Sequence, residues 1–350
     1  MMLLCAIFKS RRESLFCTDT FGRLIFRGVM SLMRCQVLLL ALRFDDSFSR
    51  KEREKEDPAA AISFIFNKLV SNSQELYTIG AHACIDEALI PLRQVPFSYL
   101  MSLTDTHNSY LLNSYIYMGK NSDGMTLSDE ERKFTQPTQS VLCLVAPISG
   151  SNHNITVDNE FSSVERRKLP YTGTLKTNKR EVLKQFLPDK TREVGSSMYG
   201  FTDDMTLLSH VPKKSKSCAV DTTNNKPEII SFYNSTKSGV DTMDLKCANY
   251  SPNRRTRRWP LAIFYHMISI ICVNTDIIHT AVHGTSTLAR FDFVKLLANS
   301  LIMKHMTRRL QIPNLPSEIR KIITDTFLGY GQDGGRKTEQ TDRLDKRKTS

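Results

Sequence analysis

A mixed α/β fold, with strands in the middle of the chain and helices on either side, is what this sequence predicts, on three observations. Apolar residues recur with helical spacing early in the chain (Met33, Val37, Leu40, Phe44) and a long apolar run follows Trp259-Pro260. Between residues 97 and 119 the texture changes to alternation, with Tyr99, Met101 and Leu103 leading to Asp105. A further short run, Asn154-Ile155-Thr156-Val157-Asp158, also reads as a strand that ends on an acid.

Taken in order, residues 20–97 are expected to be mostly helical. Ile62, Phe64, Ile65 and Leu69 form a second amphipathic run there. The charge-dense segment 47–57 ends in Asp57-Pro58, a loop into a helix whose first turn tolerates proline. Thr106-His107-Asn108 supplies turn chemistry between two strands, so residues 97–119 predict a hairpin. Residues 181–225 are polar, lysine-rich and weakly periodic, the texture of a small insertion. A proline at the first helical position opens the next helix at Trp259-Pro260, and Gly284 stops it. Helices over about 291–310 and, after Pro316-Ser317, over 318–327 follow. From Gly329 onward a glycine-rich and then charged composition predicts a disordered basic tail.

Composition narrows the function classes. With 350 residues, 40% of them hydrophobic, the chain can bury one large core or two smaller ones. Lysine and arginine number 48 against 36 acids, a formal charge of +12, which favours a polyanionic partner, nucleic acid first. The eight cysteines are scattered without any CxxC pair, so they spell neither a zinc site nor a disulfide framework and fit reduced thiols. Lys9, Arg11 and Arg12 follow the short apolar opening at once, unlike the flanks of a secretory signal. The longest apolar stretch, residues 261–282, is interrupted by His266, Asn274, Asp276 and His279 and reads as a buried helix, with no membrane partner expected. His279 and His283 stand four apart, as a helical zinc pair would. No glutamate follows His279, however, and ordinary helix residues are the plainer reading.

Residues 226–274, KPEIISFYNSTKSGVDTMDLKCANYSPNRRTRRWPLAIFYHMISIICVN, resemble the third-aspartate region of piggyBac-type transposases. The parts fall in the family's order: Tyr233-Asn234, Thr236-Lys237, Gly239-Val240-Asp241, Asp244, then Thr256, Arg258, Trp259 and Pro260. LLLALRFDD (38–46), IDEALIPLR (85–93), NITVDN (154–159) and TGTLKTNKREV (172–182) are similar to further family blocks. The resemblance therefore runs over roughly residues 20–325.

This resemblance implies a ribonuclease-H-like catalytic core flanked by helical DNA-binding regions, with a small insertion before the third acid. The implied division is 1–97 helical DNA-binding part, 98–180 first part of the core, 181–225 insertion, 226–248 core helix, 249–328 helical DNA-binding part and 329–350 tail. It implies catalytic acids at Asp105, Asp158 and Asp241, with Asp244 accessory, holding two divalent cations, Mg2+ or Mn2+. Carboxylates suit those hard ions, and two ions about 4 Å apart clamp the attacking and leaving oxygens of a phosphodiester. Asp241 and Asp244, three apart on a helix, share one face. Such a site requires the three acids to lie within about 5 to 7 Å of each other. The implied reaction is cleavage and strand transfer of double-stranded DNA, through hairpin ends, at TTAA sites. No small-molecule cofactor is implied, and a homodimer is one assembly the resemblance allows.

Arg254, Arg255, Arg257 and Arg258 form the densest basic run before the tail, and their guanidinium forks suit phosphates; a solvated lead-in to the next helix is the plainer alternative. Asn178, Lys179 and Arg180 are expected near DNA or, equally, as surface charge. Action on DNA implies a nuclear location, to which Asp345-Lys346-Arg347-Lys348 would contribute.

The sequence also departs from the family pattern. Only residues 91–98 separate the IDE block from the segment leading to Asp105, where a longer basic stretch is usual. Glu160 stands in place of an aromatic, residues 162–171 are short for the helix and strand expected there, and no cysteine-rich module follows Cys272. Two readings follow: an active transposase, or a degenerate or domesticated DNA-binding remnant that no longer cuts.

Overall fold

The computed structural model describes residues 1–8, 24–90, 99–119, 127–158, 169–175, 182–187, 191–203, 205–211, 227–284 and 288–325. Its helices are α1 Met2–Ile7, α2 Leu24–Val29, α3 Leu32–Ala41, α4 Arg50–Arg53, α5 Ser63–Leu76, α6 Gln136–Val145, α7 Glu228–Thr236, α8 Gly239–Asn249, α9 Trp259–His283, α10 Arg290–Leu310 and α11 Ser317–Ile323. Its strands are β1 His82–Leu89, β2 Tyr99–Asp105, β3 Leu111–Tyr117, β4 Asn154–Val157, β5 Tyr171–Gly173, β6 Ser197–Phe201 and β7 Thr206–His210. Two compact units result: Ser47–Lys246, and Met1–Asp46 together with Cys247–Ser350.

The first unit is built on a five-stranded sheet of order β3-β2-β1-β4-β5. Strands β1, β2 and β3 are successively antiparallel, whereas β4 runs parallel to β1 and β5 parallel to β4. The predicted hairpin is present as β2 and β3. Asn108 Oδ1 accepts from Tyr110 N at 2.9 Å, and Ser109 takes φ 69° to close the turn. Strands β6 and β7 form a separate two-stranded antiparallel sheet.

One strand lies where helix was expected. In β1, Ala83, Cys84 and Ile85 are all buried because β2 and β4 flank the strand and helices cover the sheet. A strand buried on both faces is a continuous apolar run, which periodicity alone cannot separate from a piece of buried helix. The IDE block thus belongs to the sheet.

Alternation assigns the two faces. Cys84 pairs with Thr104 on β2 and Thr156 on β4, and Thr156 bonds to Thr236 at the end of α7. The even-numbered residues of β1, β2 and β4 therefore look toward α7 and α8. Leu103 pairs with Asn113, whose side chain donates to the carbonyls of Cys143 and Leu144 on α6, so the odd-numbered face belongs to α6.

The helical unit joins early and late parts of the chain. Leu4, Phe26 and Val29 pack with Phe293, Ala298, Ile302, Met306 and Ile323. Arg27 pairs with Glu318 at 2.9 Å, and Arg309 donates to the carbonyls of Arg27 and Gly28. Helix α9 is long and apolar enough to cross a membrane by length and composition, yet 61% of its apolar window is buried inside the protein, as in a core helix. It ends at Gly284, whose φ of 79° suits a residue without Cβ. The expected last helix closes earlier than 327, at Ile323, and the tail from 329 lies outside the described residues.

Candidate functional site

The end of the sheet at which β1 and β4 finish gathers carboxylates. Asp158 directly follows β4, and the parallel register, Ile85 opposite Val157, brings it level with Asp86 on β1. Asp241 and Asp244 lie on α8, in its first and second turns. Negative charge in the first turn also complements the partial positive charge of a helix N-terminus.

Several ties hold α7 and α8 against the strands. The buried Thr156 hydroxyl donates to that of Thr236 at 2.8 Å, and the Cys84 thiol donates to the Lys237 carbonyl at 3.0 Å. Gly239 permits the close approach of α8: a Cβ there would stand 2.6 Å from Thr104 Oγ1, 3.1 Å from Cys84 Cβ and 3.2 Å from the Asp105 carbonyl oxygen. Leu89 N donates to Asp244 Oδ2 at 3.0 Å, and Lys246 Nζ donates to the Asn108 carbonyl. Each acid is thus carried by an element whose position is fixed by buried groups.

The electrostatics record the crowding. Burial raises the Asp244 carboxyl to about 6, opposed by the Leu89 N–H and reinforced by the charges of Asp241 and Asp86. Glu87 rises to about 7, first by burial and then through Asp86, with Asp158 adding to it. The Tyr233 hydroxyl is pushed up by burial and by Asp158, Cys84 and Asp86. Burial pushes the Cys84 thiol up to about 12, and the neighbouring charges of Asp86 and Asp241 act in the same direction. Asp86, Glu87, Asp158, Asp241 and Asp244 therefore share one electrostatic neighbourhood.

Among the acids expected from the sequence, Asp158, Asp241 and Asp244 belong to this neighbourhood. Asp105 is not brought to it. Strand β2 is antiparallel to β1, so Asp105 pairs with Ala83, which in turn is level with Ile155. That is three residues short of Asp158, about 10 Å along the strands, with two strand spacings, roughly 10 Å more, across them. The Asp105 side chain lies on the odd-numbered face and is 2% exposed. It accepts from Gly80 N at 2.6 Å, His107 N at 2.7 Å and Asn108 N at 3.2 Å. Those are the bonds of a turn-forming aspartate. Asp86 and Glu87 of the IDE block, which are not among the acids expected from the sequence, lie in this neighbourhood as well. The signal that would have found them is an acid pair closing a fully buried apolar run.

A divalent cation suits the donors present, which are carboxylate oxygens. Asp244 Oδ1 is buried and has no hydrogen-bond partner among the described residues, an orphaned acceptor that a cation would satisfy. As the side chains stand, no three of the described His, Cys, Asp and Glu residues converge closely enough to hold an ion.

The four arginines expected to meet DNA divide in two. Arg258 donates to the carbonyls of Leu39, at 3.0 Å, and Leu42 at the end of α3, and Arg254 is half-buried beside an apolar cavity lined by Met1, Cys35 and Leu38. Arg255 and Arg257 are exposed. Asn178, Lys179 and Arg180 lie outside the described residues. Among the described cysteines, Cys84 and Cys272 are free thiols.

Two comparisons bear on this arrangement. A family model described as Transposase IS4 matches residues 1–275. A piggyBac transposase synaptic complex with hairpin DNA, determined by cryo-EM, is similar to the chain with a TM-score of 0.82 and 29% sequence identity, over 93% of this chain and 74% of that one.

Proposed function

This chain belongs to the Transposase IS4 family and is of piggyBac type, and from that premise we propose that it binds double-stranded DNA and cuts and rejoins it at TTAA sites. The observation that carries the proposal is the set Asp158, Asp241 and Asp244, which reaches one neighbourhood from β4 and α8. The mixed sheet, with α6 on one face and α7 and α8 on the other, supports reading the first unit as a ribonuclease-H-like core.

Asp158, Asp241 and Asp244 are the residues that would hold Mg2+ or Mn2+, and such an ion supplies positive charge to a phosphodiester under attack. The chain's own groups set the stage for it. The Leu89 N–H pins one Asp244 oxygen, and the other has no partner among the described residues. Thr174 donates to Asp158 Oδ1 at 3.0 Å, which orients that carboxylate. Arg255 and Arg257, exposed on the helical unit, suit phosphate contacts that position a duplex without reading its sequence. The reading implies a nuclear location, and a homodimer is compatible with it.

The test is cleavage of a labelled duplex carrying a TTAA-flanked end, with Mg2+ or Mn2+, by the chain and its Asp241→Ala variant. Metal-dependent nicking that the substitution removes is expected. A second reading, a DNA-binding remnant that no longer cuts, draws on the position of Asp105 and on the unclosed carboxylate group. It expects salt-sensitive binding of the duplex and no cutting with either metal.

A further inference from the structure

We propose that the open face of the β6–β7 hairpin, centred on Tyr199 and Phe201, is a stacking platform for unpaired bases of a DNA strand. The inference rests on the DNA-binding reading above and extends it from the duplex to the single-stranded stretches that cutting and rejoining would expose.

Alternation gives the hairpin two faces. Ser197, Tyr199 and Phe201 stand opposite His210, Leu208 and Thr206, so these six share one face. The other face is anchored. Ser209 Oγ donates to the Phe186 carbonyl at 2.8 Å, and Arg192 donates to Ser209 Oγ at 2.7 Å and to its carbonyl at 2.9 Å. A Cβ on Gly200 would stand 2.8 Å from Phe186 Cζ, so that ring lies directly beneath the strand. With one face held down, the rings of the other are left to solvent: Phe201 is 74% exposed and Tyr199 45%. Their planes are parallel within 5°, with centroids 6.2 Å apart.

Flat rings at alternate positions of a strand are how sheet-based nucleic-acid binders hold bases, two or three per sheet, and the stacking is indifferent to sequence because every base has a π-face. Tyr199-Gly200-Phe201 also has the aromatic-glycine-aromatic order at the centre of the strand motif used by RNA-recognition sheets, although Ser197-Met198 stand where that motif opens with a basic residue and glycine. Here the glycine has a packing reason, since only a residue without a side chain fits over Phe186. Charge agrees in part. The chain carries +12, and no acid lies among the six residues of the open face. Asp203 in the turn is exposed and repels phosphates beyond Phe201, so the bound strand would pass its backbone over the other end, where Ser197 and His210 are hydrogen-bonded at 2.9 Å.

Fluorescence anisotropy of the full chain with a labelled single strand and with a blunt duplex of the same length, at one salt concentration, tests this. Tyr199→Ala and Phe201→Ala are each expected to weaken single-strand binding about tenfold, within the range for losing one stacked base. Duplex affinity and the unfolding midpoint should stay where they were. Phe201→Leu should lose as much as Phe201→Ala, whereas Phe201→Trp should bind as the unsubstituted chain does. Unchanged single-strand affinity in folded alanine variants overturns the platform, and so does full retention by Phe201→Leu, which would make the contact merely apolar. Equal losses for strand and duplex overturn it too. If the alanine variants alter self-association in sedimentation and not DNA binding, the face docks protein instead. A chain that binds duplex but no single strand refutes this inference alone; one that binds neither refutes the DNA-binding reading on which it rests.

Discussion

Thr156 on β4 and Thr236 at the end of α7, 80 residues apart, share a 2.8 Å hydrogen bond between buried hydroxyls. Thr236 in turn donates to the Phe232 carbonyl at 2.9 Å, so the pair forms a short hydrogen-bond relay from strand to helix. Thr156→Val removes the first donor without opening space, and is expected to cost about 1 kcal/mol. The double variant with Thr236→Val should cost less than the sum of the two singles, because both members of the pair are then apolar. Urea unfolding of the four proteins checks this; strictly additive losses would count against the relay.

Gly239→Ala should be the more damaging change. The new methyl would meet Thr104 Oγ1, Cys84 Cβ and a backbone carbonyl, and only the first of these can rotate away. A loss of about 1 to 3 kcal/mol is expected, the usual range for overpacking. Helix α8 would be displaced from the strands, so any binding of Mn2+ should weaken together with stability. Calorimetry and an Mn2+ titration read the two effects, and an unchanged unfolding midpoint would refute the packing argument.

The arginine run gives opposite expectations for neighbouring positions. Arg258→Ala removes bonds to two carbonyls at the end of α3 and should lower stability by about 1 to 3 kcal/mol. Arg255→Ala and Arg257→Ala should leave stability within about 0.5 kcal/mol. If these two residues contact phosphates, each substitution should also reduce the salt dependence of DNA binding by about one unit of slope. Titrations at several salt concentrations measure that slope, and a slope unchanged in both variants would remove these residues from the interface.

His266 is wholly buried in α9, and its Nε2 has no hydrogen-bond partner among the described residues. Burial holds the imidazole down at about 4, against 6.5 when it is free. The unfolded chain therefore binds this proton more readily than the folded one. The contribution to stability is complete above about pH 6.5, falls as the pH drops toward 4, and levels off below that. By pH 5 the loss should be about 2 kcal/mol. Unfolding at pH 7.5 and pH 5, compared with a His266→Asn variant, tests this, and equal pH dependence in the two proteins would exclude His266 as the cause.

The helices were legible wherever a cap and a periodic stripe coincided. Trp259-Pro260 and Gly284 bracket α9, and α10 starts at Arg290, one residue from the expected position. The hairpin of β2 and β3 was legible because Thr106-His107-Asn108 punctuates two alternating runs. Strand β1 was not, because burial on both of its faces erases alternation. For the site, a family motif gives the residue types and their order in the chain, but not strand direction. Asp105 and Asp158 both end strands in the sequence, and only pairing reveals that the two strands run in opposite senses. The register of β1 against its two neighbours is what brings Asp86 level with Asp158.

The helical unit also sets a schedule for biosynthesis. Leu4, Phe26 and Val29 find their packing partners on α10 and α11, with the whole sheet unit synthesised in between. At roughly 5 to 20 residues per second, on the order of tens of seconds separate the emergence of Phe26 from that of Phe293. During that interval α1 and α2 lack their partners on α10 and α11 and can cover only part of each other's apolar surface, which makes them natural clients for a chaperone. The sheet unit, continuous in sequence, is free to fold as soon as α8 leaves the ribosome.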